Sequence, residues 1–220
     1  MTRNPCAPDV TVRERLIQAA LACFLRDEYR NVTTRQIARE AGVTEGVIYH
    51  HYRDKAELLL AVTGNSMGDF REVLNSLPLQ VGQDTVRENL DRTLQVAYEF
   101  QFRIAPIVCS LFADVQLLGR TREILNQRQC GPECVVDALS IYLQAEQRLG
   151  RVNPDVSPRA AAEILLASGF HTAMLDHLLG RDLPSETRRL RVSENIQALL
   201  AGLEPHVAEG SAVPKDRDME

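Results

Sequence analysis

Residues 33–58 read TTRQIAREAGVTEGVIYHHYRDKAEL, and the organisation of the whole chain follows from this stretch. Thr33 followed by Gln36 is a capping box: the threonine hydroxyl accepts from the Gln36 backbone N–H, and the glutamine reaches back to the N–H of Thr33. It opens a short helix over 34–41, with Ile37, Ala38 and Ala41 turned inward. Gly42 stands where a left-handed residue ends that helix. Val43 plugs the turn, and Thr44 caps a second helix running to about His51. Two short helices joined by Gly42-Val43-Thr44 form a helix-turn-helix. That geometry lets the second helix enter a DNA major groove while the first crosses the backbone. The N–H groups at the start of the first helix also suit a phosphate.

Helix signals continue on both sides. Upstream, Thr11 and Glu14 form another capping box, and Leu16, Ile17, Ala20, Cys23 and Phe24 recur on one face. Downstream, Asp54 and Glu57 form a third box, opening a helix to about residue 74. Beyond Pro78 the spacing predicts helices over 85–104 and 106–118, with Pro106 in a first turn. A long segment over 121–149 is interrupted at Gly131-Pro132. Ser157-Pro158 starts a helix to about 179, a turn follows over 180–184, and the last helix spans 185–203. No long apolar/polar alternation and no repeat appears. The expected fold is all-α: a three-helix head over 10–56, then a helical bundle over 57–205. A flexible arm (1–9) and a disordered tail (206–220) flank them.

Composition narrows the function. Of 220 residues, 45% are hydrophobic and 25% charged, which suits a globular chain, and the net charge of -5 argues against an all-over basic nucleic-acid binder. The charge is unevenly placed. Residues 1–60 hold nine Arg and Lys against eight Asp and Glu, and the remainder sixteen against twenty-two. A near-neutral front and an acidic rest suit DNA binding at one end. No apolar run reaches membrane-span length, and the start lacks a signal-peptide core, so a cytoplasmic chain without membrane attachment is expected. The five cysteines, Cys6, Cys23, Cys109, Cys130 and Cys134, are scattered and expected to be thiols. His50 and His51 point about 100° apart on a helix, and His171 and His177 sit on poorly matched faces, so no metal site is expected. The G-x-S-x-G string at Gly64-Asn65-Ser66-Met67-Gly68 falls inside an expected helix and makes no strand-to-helix elbow, and no P-loop, G-x-G-x-x-G or H-E-x-x-H pattern occurs, so neither enzyme activity nor a cofactor is expected.

Residues 11–60 resemble the TetR family of transcriptional regulators. The resemblance rests on Thr33-Thr34-Arg35-Gln36-Ile37-Ala38, Ala41-Gly42-Val43-Thr44, and then Gly46, Tyr49, Tyr52, Lys55 and Leu58. It implies a DNA-binding head and a body that binds a small ligand and dimerises, ligand binding switching DNA affinity. Position by position, Thr34 and Arg35 fall at the start of the motif's first helix, where phosphate is commonly touched. Thr44, Glu45, Gly46 and Val47 lead the recognition helix. There Gly46 permits close backbone approach, Val47 suits a thymine methyl and Glu45 a cytosine amino group, or Glu45 serves only the helix N-terminus. Tyr49 and His50 match backbone-contacting positions, and Lys55 a phosphate contact. Two residues depart from the pattern: Tyr52 replaces the commoner Phe, and Glu45 is acidic where a basic or neutral residue is frequent.

The partners implied are a double-stranded operator, a small, mainly apolar effector and a second copy of the chain. Effector-pocket candidates are Phe100, Phe112, Tyr142, Ser168 and His171. Dimer-interface candidates are Ile164, Leu175, Leu178, Ile196, Leu199 and Leu200, from the last two helices. The expected function is a repressor released from its operator by the effector. The alternatives are a helical small-molecule-binding protein without specific DNA function, and an all-helical enzyme using the bundle pocket.

Overall fold

The computed structural model describes residues 11–201 except 28, 30, 129 and 130. The expected arm and tail, Cys6, Cys130 and the end of the last helix near 203 lie outside the described residues. Among the described residues every regular element is helical: α1 Val12–Arg26, α2 Thr34–Glu40, α3 Glu45–His51, α4 Lys55–Ser66, α5 Gly68–Ser76, a 3-10 turn Leu77–Gln80, α6 Val86–Phe112, α7 Val115–Arg128, α8 Glu133–Arg148, α9 Pro158–Leu178 and α10 Ser185–Leu200. The Thr11/Glu14 and Thr33/Gln36 boxes form, and a further box, Thr85 with Glu88, opens α6. Gly42 adopts φ +67°, the left-handed turn that separates α2 from α3. Thr44 occupies the cap position of α3 but its hydroxyl makes no capping bond. Asp54 accepts from the Glu57 N–H at 2.8 Å, while Glu57 turns instead to the Arg53 N–H at 2.9 Å.

Two apolar cores organise the chain. The head core joins Leu16, Ile17, Ile37, Ile48, Leu58, Leu59 and Val62 with Ile107, Leu117 and Ile124. The body core joins Phe70, Leu74, Leu90, Leu94, Tyr98, Leu139, Leu143, Leu165, Ile196 and Leu200. The head therefore does not close at residue 56: α4 continues its core to Val62, and α6 and α7 complete it.

The division between cores explains where helices break. A single helix over 54–74 is replaced by α4 and α5, parted at Met67 (φ -83°, ψ 1°). Leu58, Leu59 and Val62 face the head core, whereas Phe70 and Leu74 face the body core, and the weak helix formers Gly64 and Gly68 flank the break. Conversely, Pro106 starts no helix. It lies inside α6, which runs on to Phe112 and turns by 116° into α7. Proline at 106 supplies no N–H to the Phe102 carbonyl. That carbonyl pairs instead with His177 Nε2 at 2.7 Å, and the His177 ring stacks on the Phe102 ring with centroids 4.3 Å apart. Tertiary contact thus offsets the missing helical bond. Pro106 also sits between the part of α6 that serves the body core (Leu90 to Tyr98) and the part that serves the head (Ile107).

Candidate nucleic-acid interface

The head presents α2 and α3 as a pair. The apolar sides of Ile37, Ala38 and Ile48 are sunk in the core, and the opposite faces stay open. Thr34, the first residue of α2, ties the two helices together. Its hydroxyl donates to Glu45 Oε1 at 2.5 Å and lies 3.3 Å from the Tyr49 hydroxyl. A concavity between the helices is lined by Arg35, Gln36, Arg39, Val43 and Glu45 among others. Thr44, Gly46, Tyr49 and His50 are exposed along α3, while Val47 is half-buried and leans on the head core.

Gly46 is informative through what it lacks. A Cβ built there meets nothing within 4 Å, and its φ is not positive, so the fold itself does not require glycine. In a helix interior glycine costs about 1 kcal/mol relative to alanine. The open space faces outward, toward whatever approaches α3.

The charges sort into paired and unpaired. Arg26 is engaged by Asp27 and Glu40. Arg13, Arg35, Arg39 and Arg53 are exposed, and no carboxylate pairs with them among the described residues. Of these only Arg35 stood out in the sequence. Lys55 differs from the expected phosphate contact. Its ammonium donates to the Tyr29 carbonyl and, at 2.6 Å, to the Val32 carbonyl, and it rests 3.8 Å from the Tyr29 ring centroid. Burial pulls its pKa below the ordinary lysine value, with Asp114 opposing. Lys55 is an internal clamp between α4 and the chain leaving α1, because its long stem reaches two carbonyls that no helix satisfies.

Tyr52 is buried in the head core, and its hydroxyl has no hydrogen-bond partner among the described residues. Burial raises its pKa.

Two ion pairs fasten the start of α4 to α7: Arg120 with Asp54 at 2.8 Å, and Arg128 with Glu57 at 2.7 Å. Burial pushes the Asp54 carboxyl up, but Arg120 and the backbone N–H groups of α4 outweigh it and hold its pKa below the ordinary value. The element that carries the head is thus tied to the helix that follows α6.

The five expected pocket residues do not converge. Phe112 is 70% exposed at the end of α6, and His171 is exposed on α9. Tyr142 is fully buried, its hydroxyl accepting from Asn89 at 3.1 Å, and Phe100 packs on Phe70 with centroids 5.7 Å apart. Ser168 alone of the five lines a cavity of about 10 Å³ between α6, α9 and α10. That volume holds at most one water. The rings of Tyr142 and Phe100 are spent on packing and that of Phe112 faces outward, so aromatic content was a poor guide to a cavity.

The dimer candidates divide too. Ile196 and Leu200 are 2% and 3% exposed, packed inside the chain's own body core, and cannot form an outer seam. Leu175 and Leu199 are half-buried, whereas Ile164 and Leu178 are 53% and 75% exposed. Ile196 and Leu200 of α10 are consumed by the chain's own core, while Ile164 and Leu178 leave an exposed apolar face on α9.

A helix-turn-helix head on an all-helical body is the build of a DNA-binding transcriptional regulator. Residues 16–62 match the model of the bacterial regulatory proteins of the tetR family. The repressor AcnR of Corynebacterium diphtheriae is 31% identical over 142 residues, 60% of this chain and 75% of AcnR. The regulator SrpR of Pseudomonas putida is 44% identical over 62 residues, which is 28% of this chain and only 29% of SrpR. The fold matches that of the regulator FadR from Bacillus subtilis, solved with stearoyl-CoA, at a TM-score of 0.67 and 18% identity, over 86% of this chain and 97% of FadR. The chain belongs to the tetR family of bacterial regulatory proteins.

Proposed function

We propose that this chain is a homodimeric repressor of the cytoplasm that binds a near-palindromic operator through α2 and α3 and is released by a small, mainly apolar effector. The observation that carries the reading is the open α2–α3 face. It combines Arg35 and Arg39, which no carboxylate pairs among the described residues, exposed Tyr49 and His50, and a glycine whose missing side chain the fold does not need. Arginines without carboxylate partners release counterions when they meet phosphates, which is the main source of affinity for DNA. One head makes few contacts, and two heads held about one helical turn apart combine them. The outer face of α9, with Ile164, Ala167, His171 and Leu178 at helical spacing, provides the dimer seam. Crystallisation of a protein of the same fold with stearoyl-CoA supports an apolar effector. The effector enters by displacing side chains around α6, since the cavity there holds about 10 Å³. Its signal travels along α6, which serves both cores, and through the two ion pairs from α7 to α4.

The test is nuclease protection of the DNA beside the protein's own gene, with long-chain acyl-CoA as the first effector tried. A protected near-palindrome that opens on adding the acyl-CoA is expected. No protection there, together with no sequence enriched from a randomised duplex pool, overturns the proposal.

A further inference from the structure

Glu45 opens α3, and its carboxylate is fixed by the other helix of the motif. The single proton of the Thr34 hydroxyl goes to Glu45 Oε1 at 2.5 Å. The Tyr49 hydroxyl, 3.3 Å away and one turn along α3, is therefore the donor to Thr34. A relay results in which Tyr49 donates to Thr34 and Thr34 donates to Glu45. Thr34 is held in turn, because it directly follows Thr33, whose hydroxyl and backbone N–H are both locked by Gln36. A surface glutamate ordinarily samples several rotamers, and fixing one costs side-chain entropy. Here that ordering is complete before any ligand arrives. The second oxygen, Oε2, has no hydrogen-bond or ion-pair partner among the described residues. The next residue, Gly46, puts no side chain in front of it.

An ionised carboxylate only accepts hydrogen bonds. In the major groove guanine shows two acceptors and thymine one acceptor and a methyl group, all of which disfavour it. Adenine sets its amino donor beside the N7 acceptor. Cytosine offers an amino donor with no neighbouring acceptor on the same base. We propose that Glu45 determines operator specificity by accepting from a cytosine amino group in each half-site, and that Thr34 and Tyr49 are the positioning residues that aim it. The proposal rests on α3 entering the groove, as argued above.

The experiment is selection from a randomised duplex pool with wild-type protein and with Glu45→Gln, Thr34→Val, Thr34→Ser and Tyr49→Phe. Wild type is expected to fix one cytosine per half-site. Glu45→Gln is expected to abandon cytosine for adenine at that position alone, and to bind the original site about tenfold to hundredfold more weakly. Thr34→Val and Tyr49→Phe blur the cytosine preference, and Thr34→Ser, which keeps the hydroxyl, restores it. A merely structural threonine would not show that rescue in base preference. The assignment is overturned if Glu45→Gln recovers the same base at every position, or if the blurring by Thr34→Val persists in Thr34→Ser. A pool from which wild type enriches nothing overturns the DNA-reading proposal and this one with it.

Discussion

Replacing Gly46 by alanine sets folding against DNA binding. The added methyl meets nothing within 4 Å in the protein, and no left-handed backbone stands in its way. Alanine should therefore recover part of the helical penalty of glycine, about 0.5–1 kcal/mol at this position near the helix start. For a chain of this size that raises Tm by about 1–4 °C. Against DNA the same methyl occupies the space through which the α3 backbone approaches the groove. Pushing the helix out by a fraction of an ångström loosens the contacts of Glu45, Val47 and Tyr49 together, and a loss of more than about 1.4 kcal/mol, tenfold in Kd, is expected. The assays are calorimetric melting and fluorescence anisotropy on a selected duplex. A variant that melts higher and binds as tightly as wild type would refute close approach at Gly46. One that melts lower would refute the open space.

Tyr52→Phe removes a buried hydroxyl that has no partner among the described residues and should stabilise the head by about 1 kcal/mol in denaturant melts, with DNA affinity unchanged. Lys55→Met strips the charged donor from the Tyr29 and Val32 carbonyls and should cost about 1–3 kcal/mol of stability. Because Lys55 is turned inward, the slope of log K against log salt should stay as in wild type, whereas Arg35→Ala should reduce that slope by about 1. Leu178→Arg should give folded monomers in sedimentation, while Ile196→Glu, aimed at a residue 2% exposed, should unfold the body instead. Asp54, paired with Arg120, and Asp176, buried on α9 and paired with Arg191 at 2.8 Å, are both held below the ordinary aspartate value of 3.8: burial raises each, and arginine pairing outweighs it. Their folded pKa values are depressed, so their contribution is present above about pH 4 and is lost as the pH falls further. Melting temperature should thus drop more steeply below pH 4 in wild type than in Asp176→Asn.

The head was legible because its signals are local. Thr11 with Glu14, Thr33 with Gln36 and the left-handed Gly42 act within three or four residues, and each does so in the structure. What escaped the sequence acts at a distance. The Phe102 carbonyl that lets α6 pass through Pro106 is satisfied from residue 177. The ion pairs from Arg120 and Arg128 reach back 66 and 71 residues to α4. Lys55 had the spacing of a surface contact, but its destination depends on where the chain leaves α1. The stripe of Ile196, Leu199 and Leu200 was real, yet a stripe does not say whether its partner is the same chain or another copy. The Thr34 bond to Glu45 joins neighbours eleven residues apart, and only the crossing of α2 over α3 brings them together.

The most direct test of a sequence-reading α2–α3 face is the ratio of affinities for a selected duplex and a scrambled one at a single, physiological salt concentration. Wild-type protein should prefer the selected duplex by about 10³-fold or more, and Arg35→Ala with Arg39→Ala should weaken both affinities by similar factors while leaving that ratio standing. Equal affinity for the two duplexes would contradict the assignment.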